Sequence, residues 1–431
     1  MAREGTRRQP GWRRYRLTAD RDETLCWLEK RLRSRLGPDL LSCVDLAMER
    51  SRGGKTQTTA KIPLRDNEDL AFAYTPGVGR VAAHVAADPR SAAQLTGKSN
   101  RVAIVTDGTA VLGLGDLGPI AALPVMEGKA ALFSHLAKID AVPICLDTTD
   151  VEQIVATVTA IAPSFGGINL EDIAAPRCFD VESRLRPRLD IPVLHDDQHG
   201  TAVVVVAALQ NALVVVGKNL AGARIVVVGA GAAGTAVTQL LIAAGARDVV
   251  VWAPVGVLGR HLAAVLPPHK AALAATTNPR GVRGGLAEAM RGADAVVGVS
   301  AGGVLSRSLV ASMATDPVVF ALANPVPEIE PDEIADLAPV VTTGRSDHPN
   351  QVNNALVFPG LFRGAMDAKV RLLDTTVLLA CARALADLVP APSVDRLLPE
   401  VLDPRVVPAI AGAVGAAARN RHATEPNEMP L

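Results

Sequence analysis

Aromatic side chains are scarce in this sequence, with seven Phe, three Trp and two Tyr among 431 residues. A core of the size this length allows must then be filled by Ala, Val, Leu and Ile, which the 49% hydrophobic content supplies. Cysteine is scarce as well. Cys26, Cys43, Cys145, Cys178 and Cys381 follow no paired spacing, which argues against a disulfide framework or a zinc site and fits a reducing compartment. No apolar run reaches the roughly 18–20 residues of a membrane span; "AVVVVAAL" is stopped by Gln210 and Asn211. Net charge is absent, 44 Lys and Arg standing against 44 Asp and Glu. No global field therefore favours nucleic acid or an anionic membrane. Residues 1–35 are rich in arginine and have no apolar centre, unlike a secretory signal. These absences predict a cytoplasmic protein.

What is present is an alternation of short apolar runs with helix-like stretches. Residues 1–52 form a head, basic at first ("REGTRRQPGWRRYR") and then an amphipathic helix, "DETLCWLEKRLRSRL". Such a charge run most often stays solvated. Residues 53–192 hold strand-like "RVAIVTDG" and "AVPICLDTTD" around a helical "IAALPVMEGKAALFSHLAKI". Residues 193–349 alternate regularly, with strands at "RIVVVGA", "DVVVW", "DAVVGVSA", "VVFALAN" and "PVVTTG". Residues 350–431 read as helical. The pattern predicts an α/β chain: a Rossmann-like, doubly wound parallel sheet domain, a smaller α/β domain and a helical C-terminal tail.

The clearest motif is "ARIVVVGAGAAGTAVTQLLIAAGA", in which strand and helix flank Gly229-x-Gly231-x-x-Gly234. Gly229 permits the tight turn, Gly231 the approach of a pyrophosphate, and Gly234 close packing of helix on strand. The flanking elements make this a dinucleotide site rather than a chance glycine turn. An NAD site usually carries Asp or Glu at the end of the second strand. Trp252-Ala253-Pro254 stands there instead, and Arg260 follows. The reading is NADP or NAD, tilted toward NADP.

Acids cluster in two places. "GGINLEDIAAPRC" sets Glu171 beside Asp172, and "HDDQHG" sets Asp196 beside Asp197. Carboxylates held together in a cleft repel unless a cation offsets them, and oxygen ligands suit Mg²⁺ or Mn²⁺. The competing reading is helix capping. His195 and His199 fit better as hydrogen-bonding neighbours than as ligands. Tyr74, before Pro76-Gly77, and Lys129, in an apolar segment, complete the candidates. Tyr74 alone reads equally as a core tyrosine. Lys129 would either snorkel to solvent or, if buried, have its pKa lowered into the range of a base.

"YTPGV", "TDGTAVLGLGDLGPIAALPVMEGKA", "PICLDTTD", "FGGINLEDI", "HDDQHGTA", "GAGAAG", "ALANPVPEI" and "GRSDHPNQVNNALVFPG" occur in the order expected of malic enzymes. From about residue 53 to 370 the chain resembles their short bacterial type. That resemblance implies oxidative decarboxylation of (S)-malate to pyruvate and CO₂ with NAD(P)⁺ and Mg²⁺ or Mn²⁺. It implies an N-terminal malic domain that binds this small-molecule substrate, an NAD(P)-binding domain and a homodimer, in which an active-site residue can come from the partner chain. By position, Tyr74 resembles the general acid, Lys129 the general base and Asp196 its partner. Glu171, Asp172 and Asp197 resemble the metal ligands. Asn324 and Asn354 resemble amides contacting substrate and nicotinamide. One departure stands out: Ala110 replaces an arginine with which animal and plant relatives grip malate. Rival readings are malolactic decarboxylation to lactate, a plain 2-hydroxyacid dehydrogenase, and a non-catalytic nucleotide-binding regulator.

Overall fold

The computed structural model describes residues 22–424, together with Tyr15 and Leu17. The chain divides into two compact units, Met1–Lys55 and Thr56–Leu431. The arginine-rich stretch expected to stay solvated lies outside the described residues, apart from Tyr15. In the first unit, helix α1 (Asp22–Leu36) coincides with the amphipathic segment. It carries a Glu29–Arg33 pair one turn apart and Arg31 over the Trp27 ring.

The second unit opens with two helices, α2 (Asn67–Ala73) and α3 (Gly77–Ala87), in which no residue is buried. A four-stranded parallel sheet follows, in the order β2-β1-β3-β4. Its strands are β1 (Arg101–Thr106), β2 (Asp140–Cys145), β3 (Gly167–Leu170) and β4 (Val193–His195). Connecting helices are α4 (Pro119–Ala137), α5 (Val151–Ile161) and α6 (Arg177–Leu185). Side chains alternate across a strand, and β1 obeys: Val102 and Ile104 enter one core, Ala103 and Val105 another with the α5 and α6 residues Val155, Val158, Val181 and Leu185.

Helix α7 (Asp196–Val215) starts directly at the end of β4. Residues 193–195, read from sequence as the start of the second domain, therefore belong to the first sheet. A three-residue strand with no loop after it leaves no compositional boundary to read. Helix α7 is also the one described helix long and apolar enough to cross a membrane, but 72% of its apolar window is buried within the fold.

The second sheet has the order β10-β9-β8-β5-β6-β7 and is parallel except for the β6–β7 hairpin. Its strands are β5 (Arg224–Val228), β6 (Asp248–Ala253), β7 (Gly256–Val257), β8 (Ala295–Gly298), β9 (Val318–Ala321) and β10 (Val340–Thr343). Every strand expected here from sequence is present; β7, too short to show a pattern, is the addition. Helix α8 (Ala232–Ala243) follows β5. The tail is helical: α9 (Phe358–Asp367), α10 (Thr375–Asp387) and α11 (Val406–Thr424).

One large core joins these parts. Ile104 of β1, Phe133 of α4, Val205 and Leu209 of α7, Val227 of β5, and Phe358, Phe362, Leu385 and Ile410 of the tail share it. Asn211 fastens α7 to the tail by donating to the carbonyls of Ala386 (3.2 Å) and Leu397 (2.8 Å). The apolar stripe that a lone α7 would expose is thus covered by elements from both sides.

Candidate metal and dinucleotide site

Three of the four strands in the first sheet end at charged residues. Asp107 follows β1, Glu171 and Asp172 follow β3, and Asp196 and Asp197 follow β4. Adjacent residues of an extended chain point to opposite faces. Asp172 turns into the left-handed region (φ 52°), a conformation Asp tolerates better than most residues, so its carboxylate swings round beside Glu171. Its N–H donates to Asp197 Oδ2 at 2.7 Å. One carboxylate oxygen from each of Glu171, Asp172 and Asp197 lies within 4.8 Å of the others.

Lys129 comes from the middle of α4 and is 7% exposed. Its ammonium donates to Glu171 Oε1 at 2.6 Å and to Asp196 Oδ2 at 2.5 Å, and it stands 4.2 Å from the centroid of the Phe358 ring. A snorkelling lysine is therefore ruled out. The expected lowering of its pKa is also corrected. Burial pushes the ammonium down, but the charges of Asp196, Glu171 and Asp197 outweigh burial and hold it above the usual lysine value. Gly200, one turn after Asp196 on α7, makes room for this arrangement. A Cβ there would stand 1.9 Å from Asp196 Oδ1 and 3.3 Å from Asn354 Cβ.

The trio is electrostatically uncomfortable by itself. Burial, with the charge of Asp197, pushes the Asp172 carboxyl up to about 7. Burial likewise raises Glu171 well above its ordinary value, against the pull of Lys129. Asp172 Oδ2 is buried with no hydrogen-bond partner. Closely spaced oxygen donors, one of them orphaned, fit a hard dication such as Mg²⁺ or Mn²⁺.

A second network lies behind the trio. Glu182, buried on α6, accepts from His195 N (3.0 Å), Gln198 Nε2 (3.3 Å) and His199 Nε2 (2.9 Å), and Arg186 approaches it at 3.1 Å. Burial raises its pKa, but His199, Arg186 and His195 prevail and hold it at about 2. Both histidines are thus hydrogen-bonding neighbours of the acids. Sequence reasoning missed Glu182, although a signal existed: Cys178, Val181, Glu182 and Leu185 form the buried stripe of α6, and an acid inside such a stripe requires partners. Asn169, which donates to Glu171 Oε2 at 2.9 Å, was also missed.

The glycine motif forms the tight turn between β5 and α8. Gly229 has φ 119°, and Gly234 packs so closely that a Cβ would stand 2.0 Å from Gly229 O. Gly231, at the start of α8, faces open space. Gly229 N donates to Trp252 O, so the tip of β6 lies beside the turn, without a carboxylate at residues 252–254. Arg260 is exposed beyond the β6–β7 hairpin. Asn324 ends the run after β9 and touches the loop that follows β1, since a Cβ on Gly113 would stand 2.1 Å from its carbonyl oxygen. The loops at the carboxyl ends of β1 and β9, one from each sheet, thereby meet, and the carboxyl ends of strands are the usual place for ligands in α/β folds.

Buried Glu328, a further residue that sequence reasoning missed, braces the loops after β8 and β9. It accepts from Ser300 N (2.8 Å) after β8 and from Ala323 N (3.0 Å) after β9. Tyr74 is not brought to Lys129. It closes α2 with a side chain 68% exposed, whereas the lysine lies in the core. Nor is Tyr74 the core residue of the competing reading.

Two family models match the chain: the malic enzyme N-terminal domain over residues 53–186, and the malic enzyme NAD-binding domain over residues 198–419. The NAD-dependent malic enzyme of Geobacillus stearothermophilus is 50% identical over 381 residues, 88% of this chain and 80% of that one. The bifunctional malic/malolactic enzyme of Bacillus subtilis is 47% identical over 376 residues, 86% and 92% of the two chains. The solved NAD-dependent malic enzyme of Thermotoga maritima shares the fold with a TM-score of 0.83 at 44% identity, covering 86% of this chain and 99% of that one. On matches of this length and identity, the chain belongs to the malic enzyme family.

Proposed function

We propose that this chain catalyses oxidative decarboxylation of (S)-malate to pyruvate and CO₂. NADP⁺ or NAD⁺ accepts the hydride, and Mg²⁺ or Mn²⁺ is held by Glu171, Asp172 and Asp197. The observation that carries the reading is Lys129, buried between Glu171 Oε1 and Asp196 Oδ2 at the edge of the carboxylate trio. A non-catalytic nucleotide-binding regulator has no use for that arrangement. The absence of an acid at residues 252–254 favours NADP, and the missing disulfide spacing favours the cytoplasm.

When bound, the dication supplies Lewis acidity at the C2 oxygen of malate, and the nicotinamide supplies a hydride acceptor. Lys129 Nζ takes the C2 hydroxyl proton, with Asp196 Oδ2 as its own proton partner. Two of the three carboxylates that raise the Lys129 pKa belong to the trio, so occupancy of the trio frees the lysine to act as a base. Asn324 and Asn354 orient substrate and nicotinamide from the loops after β9 and β10.

Tyr74 Oη delivers the proton to C3, from a second copy of the chain. Three observations support that homodimer. Tyr74 is exposed, α2 and α3 bury nothing, and Ile62, Leu64, Leu70, Phe72 and Val78 beside it are exposed too. An apolar patch of this kind marks an interface.

The test is turnover of malate with each cofactor, with and without Mn²⁺, followed by nicotinamide absorbance and product analysis. Metal-dependent reduction with pyruvate and CO₂ is expected. Lactate without net reduction would instead support malolactic chemistry, which the bifunctional relative makes the second reading to check. Metal-independent turnover without CO₂ would leave a plain 2-hydroxyacid dehydrogenase.

A further inference from the structure

The side chain of Gln198 forms its hydrogen bonds to Glu182 and His195 rather than to a member of the carboxylate trio. Its amide nitrogen stands 3.3 Å from Glu182 Oε2 and 3.1 Å from His195 Nδ1. Glu182 is an ionised acceptor, so it takes one of the two N–H bonds that an amide nitrogen offers. The other points at His195 Nδ1, which must then be the unprotonated nitrogen of the ring. The ring proton is left on Nε2, and Nε2 lies 3.2 Å from Asp197 Oδ2. That contact is at ion-pair distance but falls outside hydrogen-bond geometry, which leaves His195 Nε2 buried without a hydrogen-bond partner. Asp197 Oδ2 is the same oxygen that Asp172 N bonds at 2.7 Å.

Glu182 Oε1 accepts from the His195 backbone, and Oε2 from His199, so the acid anchors the start of α7 at three points. Gln198, Glu182 and His195 are each nine-tenths or more buried, whereas Asp197, His199 and Arg186 are partly exposed.

We propose that Gln198 is a positioning residue for the metal site: anchored by Glu182, it sets the His195 tautomer, and the Nε2–H of that tautomer holds Asp197 in its ligating orientation. The inference rests on the reading of Glu171, Asp172 and Asp197 as metal ligands. Outer partners of this kind typically change metal affinity by about 10–100-fold.

Two measurements test it. Mn²⁺ binding is followed by electron paramagnetic resonance without malate or cofactor, in the wild type, Gln198→Leu and Asp197→Asn. The tautomer is read from ¹⁵N shifts of the histidine rings at about pH 8, above the ordinary histidine range, with His195 assigned by difference from His195→Asn. The wild type is expected to bind Mn²⁺ and to carry the His195 proton on Nε2. Gln198→Leu, close in size, is expected to bind Mn²⁺ about ten-fold or more weakly and to show a mixed tautomer.

Wild-type affinity in Gln198→Leu would overturn the proposal. So would a wild-type His195 proton on Nδ1, a result that needs no variant to fold. Failure of the wild type to bind Mn²⁺, or full binding by Asp197→Asn, would instead overturn the metal-site reading itself.

Discussion

At the scale of single residues, the account turns on groups whose charge is decided by neighbours far away in sequence. Lys129→Ala is expected to lower kcat by about 10²–10⁴-fold, the usual contribution of a positioned acid–base group, with cofactor binding retained. Glu182 gives a pH signature. Its carboxyl is held at about 2, below the ordinary 4.5, so the unfolded chain binds more protons than the folded one between those values. The stability it contributes is present above pH 4.5 and lost as pH falls toward about 2. Glu182→Gln is expected to be less stable than the wild type near neutrality, by on the order of 3 kcal/mol, with the difference shrinking through that acid window in urea titrations. The paired acids were legible because adjacent carboxylates are costly wherever they lie. The sign of the Lys129 shift was not. Sequence hinted at burial but could not place Asp196, 67 residues away, at 2.5 Å.

At the scale of elements, glycine positions separate fold from function. Gly234→Ala sets a Cβ 2.0 Å from Gly229 O, so the β5–α8 turn must shift, at about 1–3 kcal/mol or more for such overpacking. Gly231→Ala meets nothing within 4 Å and is expected to leave the melting temperature unchanged while raising the KM for the dinucleotide, on the proposal that a pyrophosphate approaches the motif's second glycine. Thermal melts and cofactor titrations on the two variants check the contrast. The β5–α8 motif was legible in its strand, its tight turn at Gly229 and the close packing at Gly234, since strand, turn and helix are contiguous. β4 and the bracing by Glu328 were not, because a three-residue strand has no periodicity and a brace between two loops exists only once β8 and β9 are paired.

At the scale of the whole molecule, the exposed apolar arm around Tyr74 separates one copy from two. A homodimer is expected in light scattering, with Phe72→Asp reducing it to monomers of low activity. Complementation tests the trade of Tyr74 between copies. Tyr74→Phe and Lys129→Ala, each inactive alone, are expected to recover up to about a quarter of wild-type activity when mixed and allowed to exchange subunits. No recovery in verified mixed dimers would mean that Tyr74 serves its own chain or none.

The central claim, a shared dication at the carboxyl ends of β3 and β4, is tested most directly by anomalous diffraction from crystals grown with Mn²⁺. One peak per chain is expected, with oxygens of Glu171, Asp172 and Asp197 at roughly 2.0–2.3 Å, the range of hard-cation ligands. A map without that peak at saturating Mn²⁺, or with the ion held by other residues, would contradict the account.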